Sequence, residues 1–265
     1  MSIEIEKRFE HMLAFLPSVA SFVLEIQSKV EFSISKKGDI DIVTEADLGA
    51  EKRIIEEIQK YFPEDKILGE ETGLIGGEGG YKWIIDPVDG TTNFAHRLPL
   101  FAIACGLEDT RTEEVVLGIV LTPALGDVYY AKKGSGAFKN GKLITVSGEE
   151  KMINSLLCTG FPYNLMQDIE GLGNKFKHFL LKSRGVRRTG SACLDLCWLA
   201  EGRFDGFWEQ NLKPWDTAAA SLIIREAGGK LSDFFGDKFN HYGNTILASN
   251  GKIHEDMLSE LGKLL

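Results

Sequence analysis

The stretch Trp83-Ile84-Ile85-Asp86-Pro87-Val88-Asp89-Gly90-Thr91-Thr92-Asn93-Phe94 decides the reading of this chain. Trp83-Ile84-Ile85 is a short apolar run, as expected of a buried strand. Asp86 stands at its end, and Pro87 fixes φ and stops a regular ladder. Asp89 follows three residues later, close enough for both carboxylates to face one ion. Gly90 frees the backbone for a turn, and Thr91-Thr92 read as the opening of a helix. Such an opening offers free N–H groups and a positive dipole end to a phosphate. Capping by Asp89 or Thr91 is the simpler alternative, but it leaves Asp86 and the paired spacing unexplained.

Two more acidic segments share this placement. Gly69-Glu70-Glu71-Thr72 follows the apolar Ile67-Leu68, and Pro214-Trp215-Asp216 begins a helix-like run. Hard oxygen ligands on short side chains suit Mg²⁺, which prefers a few carboxylates plus substrate phosphate. Two such ions about 3.5–4 Å apart can clamp an in-line phosphoryl displacement. The residues therefore point to magnesium-dependent phosphomonoester hydrolysis.

Working outward, residues 5–30 carry Phe9, Met12, Leu13, Leu16, Val19, Ala20 and Val23 at helical spacing, with Pro17 expected to kink or split the segment. Thr44 opens a second helix whose apolar face reads Leu48, Ile54, Ile55, Ile58 and Phe62 before Pro63. A glycine-dense loop covers 73–80. Strands are expected over 101–108, 115–122 and 126–132, then a hairpin turn at Asn140-Gly141. Further on come a strand within 151–162, helices near 168–183 and 190–202, a strand at 203–209, a helix at 215–227 ended by Gly228-Gly229, and strands at 230–235 and 245–249. The run Gly136-Ala137-Phe138-Lys139-Asn140-Gly141-Lys142 has P-loop spacing, but Leu143 stands where a Ser or Thr is required, and Asn-Gly marks a hairpin. No complete GxGxxG occurs, so no dinucleotide is indicated.

At 265 residues, 43% hydrophobic and 26% charged, the composition is that of a globular protein. It reads as a single domain, 1–265, of two packed lobes of about 1–150 and 151–265, divided at the polar Ser147–Lys151 stretch. No apolar run approaches the roughly 20 residues a bilayer span needs, and Glu4, Glu6 and Pro17 argue against a signal peptide. Cys105, Cys158, Cys193 and Cys197 lack CxxC spacing and read as reduced thiols of a cytoplasmic protein. The five histidines form no HxH or HExxH pair, which argues against zinc. A net charge of −9 argues against direct nucleic-acid binding, and no membrane association is expected.

The Trp83–Phe94 string resembles the first signature of the inositol monophosphatase family. Lys213-Pro214-Trp215-Asp216-Thr217-Ala218-Ala219-Ala220 with Arg225-Glu226-Ala227-Gly228-Gly229 resembles the second. Gly69–Thr72, Thr44-Glu45-Ala46-Asp47 and Gly190-Ser191-Ala192 fall in that family's order, and Arg187 to Glu209 resembles its bacterial branch, the inositol-1-monophosphatases. The resemblance runs from about residue 36 to 250.

It implies a layered α/β/α/β/α sandwich with mostly antiparallel sheets, as in fructose-1,6-bisphosphatase, usually dimeric and lithium-sensitive. It also implies two to three Mg²⁺ ions. Asp86 bridges two of them, Glu70 and the Val88 carbonyl complete the first site, Asp89 and Asp216 the second, and Glu70 helps hold a weaker third. Thr91, backed by Asp47, orients the water that Glu70 helps activate. Gly90, Thr91, Gly190, Ser191, Ala192 and Glu209 contact substrate, and Lys36 or Lys37 in a covering loop reaches toward the phosphate.

Several of these residues also have plainer readings. Thr44–Asp47 is a capping-box pattern, Asp216 suits a helix cap, Glu70 suits a solvated loop, Glu209 suits a strand end, Arg187 and Arg188 suit ion pairs or an interface with a substrate or partner contact as the alternative, and Lys36-Lys37 suits open surface. Fructose-1,6-bisphosphate, histidinol phosphate and 3′-phosphonucleotides are rival substrates. A binding role beside RNA polymerase and antitermination factors, which the bacterial resemblance brings with it, is the rival of a different class.

Overall fold

The computed structural model describes residues 3–36, 38, 42–162 and 168–264. The first helix, α1, runs unbroken over Ile3–Ser28 through Pro17. A proline inside a helix forfeits one ladder bond. Packing outweighs that cost here, because Phe9, Met12, Leu16, Val19, Val23 and Ile26 bury one stripe on both sides of it. The expected split does not occur. By length and composition α1 is also apolar enough to cross a bilayer, with a mean hydropathy of 1.4. That corrects the expectation that no run approaches such a length, although its apolar stripe packs into the core of the chain.

Strands β1 (Ile34–Lys36) and β2 (Ile42–Thr44) pair as a small two-stranded sheet leading into α2 (Glu45–Tyr61). Thr44 caps α2, and the capping box with Asp47 is complete. The buried face of α2 is Ala46, Asp47, Ala50, Glu51, Ile54, Ile55 and Ile58. Leu48, expected on that face, is exposed. It sits about a quarter-turn away from a stripe that includes two carboxylates, which no apolar pattern reveals.

Next come β3 (Lys66–Gly69), β4 (Gly73–Ile75) inside the expected glycine loop, β5 (Tyr81–Asp89), α3 (Thr91–Ala95), β6 (Ala102–Asp109), β7 (Glu114–Thr122) and β8 (Asp127–Lys132). The strands β9 (Ala137–Lys139) and β10 (Lys142–Ile144) form a hairpin whose turn residues, Asn140 and Gly141, both have positive φ. That is the geometry of a two-residue hairpin turn, and the phosphate-loop spacing there is accidental. These strands make an eight-stranded sheet in the order β10-β9-β8-β7-β6-β5-β3-β4, antiparallel except for β3 against β5.

The second half supplies β11 (Leu156–Thr159), α4 (Ile169–Lys182), β12 (Gly185–Arg187), α5 (Ala192–Ala200), β13 (Gly206–Gln210), α6 (Pro214–Glu226), β14 (Lys230–Ser232), β15 (Thr245–Ser249) and α7 (His254–Leu261). The expected elements of this half include no counterpart of helix α7. Its strands form a five-stranded sheet, β12-β11-β13-β15-β14, with β11 parallel to both neighbours.

Three apolar clusters stack these elements into five layers. Trp83 and Ile85 of β5 face α1 and α2. Ile84, on the opposite pleat, joins Ala218, Ile223, Leu196 and Phe207 in a cluster between the two sheets, where α5 and α6 lie. Leu157 and Trp208 on the far side of the second sheet pack with Phe179 of α4 and Met257 of α7. The order is α/β/α/β/α, as the resemblance implied. Helix α6 lies hard against the large sheet because Gly118 allows it: a Cβ there would sit 2.4 Å from the Ala219 carbonyl oxygen.

Candidate active site

In a regular strand, residues three apart point to opposite faces. Asp86 and Asp89 escape this through a bulge. Asp86 pairs with Ala104 and Asp89 with Ala102, so β5 carries one extra residue against β6. Pro87, without an N–H, suits that interruption, and the Val88 N–H turns inward to donate to Asp86 Oδ1 at 3.1 Å. Strand β3 runs parallel beside β5 with Gly69 opposite Ile85, which brings Glu70 alongside, its N–H donating to the Ile85 carbonyl at 3.3 Å. Asp216 comes from the other half, on the first turn of α6, where its Oδ2 also accepts the Lys213 N–H at 2.6 Å. It is both a helix cap and a member of the cluster.

Carboxylate oxygens of Asp86, Asp89 and Asp216 all lie within 4.8 Å of one another. Burial pushes Asp86 well above the ordinary carboxylate range, and Glu70, Asp89, Asp216 and Asp47 push it further. Asp216 rises to about 8, through burial first and Asp89 second. Asp89 is raised by burial despite bonds from Ser191 and from the backbone at Cys193 and Ala192. These are Ser191 Oγ donating to Oδ2 at 2.5 Å, the Cys193 N–H to Oδ2 at 2.7 Å and the Ala192 N–H to Oδ1 at 3.2 Å. Among the described residues none of the three aspartates has an ion-pair partner. An all-oxygen donor set with mutually repelling charges fits a hard divalent cation such as Mg²⁺.

Thr91 Oγ1 lies 3.0 Å from both Asp47 Oδ1 and the Val88 carbonyl oxygen. Its single proton serves one at a time. When it goes to Asp47, the Val88 carbonyl is left free as an acceptor and Thr91 keeps its lone pairs for another donor. Asp47 Oδ2 is already held by the Thr44 hydroxyl at 2.5 Å and the Thr44 N–H at 2.9 Å. Its helix-capping and site-facing roles coexist, one for each oxygen. Helix α3 is only five residues long and its N-cap Gly90 is left-handed, with no side-chain cap. A macrodipole contribution of the kind expected from a full helix is therefore small.

A cavity of ≈ 720 Å³ opens over this cluster. Glu70, Asp86, Val88, Asp89, Gly90, Thr91, Gly190, Ser191, Ala192, Glu209 and Asp216 all line it. Asp47 lies behind Thr91 rather than on the wall. Lys36, expected to contact substrate, sits exposed on β1 and does not line the cavity, and Lys37 lies outside the described residues.

At the far end of the cavity, Glu209 of β13 is buried, and burial followed by Asp216, Asp195 and Asp89 drives its carboxyl well up. Gly160 gives it room, since a Cβ there would sit 2.3 Å from both Glu209 carboxylate oxygens in this position. Three lining or supporting residues escaped the sequence reading. Asn93 Nδ2 donates to the Leu100 carbonyl at 2.7 Å and the Thr189 carbonyl at 2.9 Å, tying the β5 loop to the turn before α5. Asp195, raised to about 7 by burial, accepts the Thr189 hydroxyl at 2.5 Å. Gly160 and Asp195 carry no local pattern that marks them. Asn93 stands inside the quoted motif, one residue before its end, but nothing local assigns it this tie.

The profile of the inositol monophosphatase family matches residues 10–264. The chain is 41% identical over 237 residues to a Pseudomonas aeruginosa protein named Nus factor SuhB, covering 86% of each. It is 40% identical over 236 residues to an inositol-1-monophosphatase of Caulobacter vibrioides, covering 87% of this chain and 91% of that one. Among solved structures, the extragenic suppressor protein suhB of Bartonella henselae superposes with a TM-score of 0.92 at 34% identity, covering 97% of this chain and 99% of the other.

Proposed function

The chain belongs to the inositol monophosphatase family and is a phosphatase, and from that premise we propose that it hydrolyses polyol phosphomonoesters, inositol monophosphate foremost, with two to three Mg²⁺ ions. The observation that carries this is the set of three aspartates within 4.8 Å of one another on the wall of a ≈ 720 Å³ cavity. Asp86, Asp89, Asp216, Glu70 and the Val88 carbonyl are the ligands. Mg²⁺, when bound there, supplies Lewis-acid stabilisation of charge on the attacking and leaving oxygens.

The chain's own residues do the rest. Thr91, donating to Asp47, accepts a hydrogen bond from the attacking water and orients it. Glu70 takes the proton as the new P–O bond forms and the ester P–O bond breaks; the departing alcohol is reprotonated by solvent. No serine or cysteine nucleophile with a partnering histidine lines the cavity among the described residues, and the thiol of Cys193 is driven far up by burial. Water therefore attacks directly, without a phosphoenzyme. Gly90, Gly190, Ser191 and Ala192 shape the wall against the substrate, Glu209 accepts from a ring hydroxyl, and Lys36 is the residue that the resemblance sends toward the phosphate.

Li⁺ at the aspartate cluster brings one charge where Mg²⁺ brings two, and inhibits. A homodimer, as the resemblance implies, is the active form, and a cytoplasmic setting fits four cysteines that are all free thiols. The relative named Nus factor SuhB favours a second reading, in which the chain also associates with the transcription machinery. Co-purification with RNA polymerase that survives Asp86→Asn supports that reading.

The test of the primary reading is phosphate release from a panel of phosphoesters, with and without Mg²⁺. Inositol 1-phosphate is expected to lead fructose-1,6-bisphosphate, histidinol phosphate and 3′-phosphonucleotides, all strictly Mg²⁺-dependent. Hydrolysis undiminished in excess EDTA overturns the metal mechanism.

A further inference from the structure

Helix α2 buries two carboxylates one turn apart on one face, Asp47 at 0% exposure and Glu51 at 1%. Asp47 reaches Thr91. Glu51, which no sequence pattern singles out, reaches the other acidic loop. Its Oε2 accepts the Glu71 N–H at 2.9 Å and its Oε1 accepts the Thr72 N–H at 2.8 Å. Just upstream, the chain passes so close that a Cβ on Gly69 would sit 2.7 Å from the Glu51 carboxylate carbon and from Oε1. The residue enclosed by these contacts is Glu70, whose own N–H is tied to β5 through the Ile85 carbonyl at 3.3 Å.

The arrangement answers two physical needs. The β3–β4 ladder ends at Gly69 opposite Gly73, so the N–H groups of the turn between them need acceptors from elsewhere. A buried carboxylate needs donors of its own. An ionised carboxylate is acceptor-only on both oxygens and satisfies the two N–H groups at once. A glutamine of the same shape meets one of them with an NH₂ group, donor against donor.

We propose that Glu51 is a positioning residue for Glu70, setting the turn from which Glu70 reaches the metal site. Helix α2 then holds both acidic loops in one register, through Asp47 to Thr91 and through Glu51 to residues 69–72. The proposal rests on the Mg²⁺-phosphatase reading. Removing a residue that orients a metal ligand without touching the metal typically costs about 10–100-fold in metal affinity or activity.

The experiment compares wild type, Glu51→Gln, Glu51→Ala and Ile58→Val, the last a buried apolar trim on the same helix. Two readouts are taken. One is the rise in Tm of the metal-stripped protein as Mg²⁺ is added. The other is the Mg²⁺ concentration giving half-maximal phosphate release from inositol 1-phosphate, set beside the substrate KM at saturating Mg²⁺. Both Glu51 variants are expected to need about 10–100-fold more Mg²⁺ in each readout, with substrate KM near that of wild type. Ile58→Val is expected to lower Tm and leave the Mg²⁺ requirement unchanged. Should Glu51→Ala fail to fold, the isosteric Glu51→Gln decides.

A normal Mg²⁺ response in wild type together with an unshifted requirement in Glu51→Gln overturns the positioning role alone. A shift shared equally by Ile58→Val overturns it too, since general loosening then explains the effect. A wild type that neither needs nor is stabilised by Mg²⁺ overturns the underlying metal reading and this proposal with it.

Discussion

Buried carboxylates occur in two regions of this protein, and they are treated in opposite ways. In the scaffold, Asp65 and Glu108 each have a cation, and Glu51 and Asp205 are held by N–H and O–H donors. Asp65 accepts from Arg8 Nε at 2.8 Å, Arg8 Nη2 at 2.7 Å and Trp83 Nε1 at 2.9 Å, fastening α1 to the sheet. Glu108 lies 2.7 Å from Lys82 Nζ, 2.8 Å from His241 Nε2 and 2.7 Å from the Tyr242 hydroxyl. Burial alone raises its carboxyl, yet the bonds from His241, Lys82 and Tyr242 bring it down to about 2. At the site, Asp86, Asp89 and Asp216 face one another instead, and all three shift upward. Desolvating an ion costs several kcal/mol wherever it happens. The scaffold offsets that cost within the chain. The site leaves it standing, which marks the place where a cation from outside belongs.

Breaking the site side of this contrast has the largest expected effect. Asp86→Asn removes the carboxylate that every other member of the cluster repels. Phosphate release is expected to fall by orders of magnitude, while the metal-free protein becomes more stable because the repulsion is gone. The same substitution at wild-type activity, or an apo protein less stable than wild type, breaks the contrast.

On the scaffold side, Asp65→Ala leaves the Arg8 guanidinium without its carboxylate. The expected loss is about 3–5 kcal/mol, measured by urea unfolding, with the Mg²⁺ requirement of the folded fraction unchanged. A loss below about 1 kcal/mol would mean the pair behaves like an exposed salt bridge.

Glu209 sharpens the contrast from within the cavity, since its proposed partner is a substrate hydroxyl rather than a metal. Glu209→Gln is expected to lower kcat/KM for inositol 1-phosphate more than for p-nitrophenyl phosphate, by an amount in the range of about 1.5–3 kcal/mol for a bond to a charged group. Equal losses on both substrates contradict the substrate role.

The effect most diagnostic in sign is on pH dependence. Asp216 binds its proton more tightly folded than unfolded, its carboxyl moving from 3.8 to about 8. The metal-free protein therefore loses this group's contribution as pH rises through that window. Glu108 is shifted the other way, from 4.5 to about 2, so its contribution is present above 4.5 and is lost as pH falls toward 2. Metal-free Tm is expected to decline from mildly acidic to mildly alkaline pH, and saturating Mg²⁺ is expected to remove the decline. A decline of the same size in Asp216→Asn would assign it to another group.

Much of this was legible in the sequence where pattern and chemistry coincide. The strand before Asp86, the capping box at Thr44, the hairpin at Asn140-Gly141 and the helix after Trp215 all follow local rules. Asp86, Asp89 and Asp216 were legible as a set only through the two family signatures that carry them. What was not legible depends on tertiary contact. The bulge that turns Asp86 and Asp89 to one side shows only in the pairing of β5 with β6. Glu51 reads as one more polar residue on a helix, and its burial is fixed by a turn twenty residues away. Pro17 reads as a breaker because its local cost is visible in sequence, whereas the stripe that outweighs it is assembled only on folding. Helix α7 is short, with Met257 and Leu261 for anchors, and is held by packing on the second sheet.

The contrast between the two regions is tested most directly by calorimetry. Mg²⁺ is titrated into the metal-stripped protein near neutral pH, in a series of buffers with different ionisation enthalpies. Carboxyls that share protons while no cation is present must give them up when one binds. Saturable binding with net proton release, reduced in Asp216→Asn, is the predicted result. Mg²⁺ binding with no proton release, or no binding at all, would contradict it, because the site acids would then be no different from those the scaffold already keeps ionised.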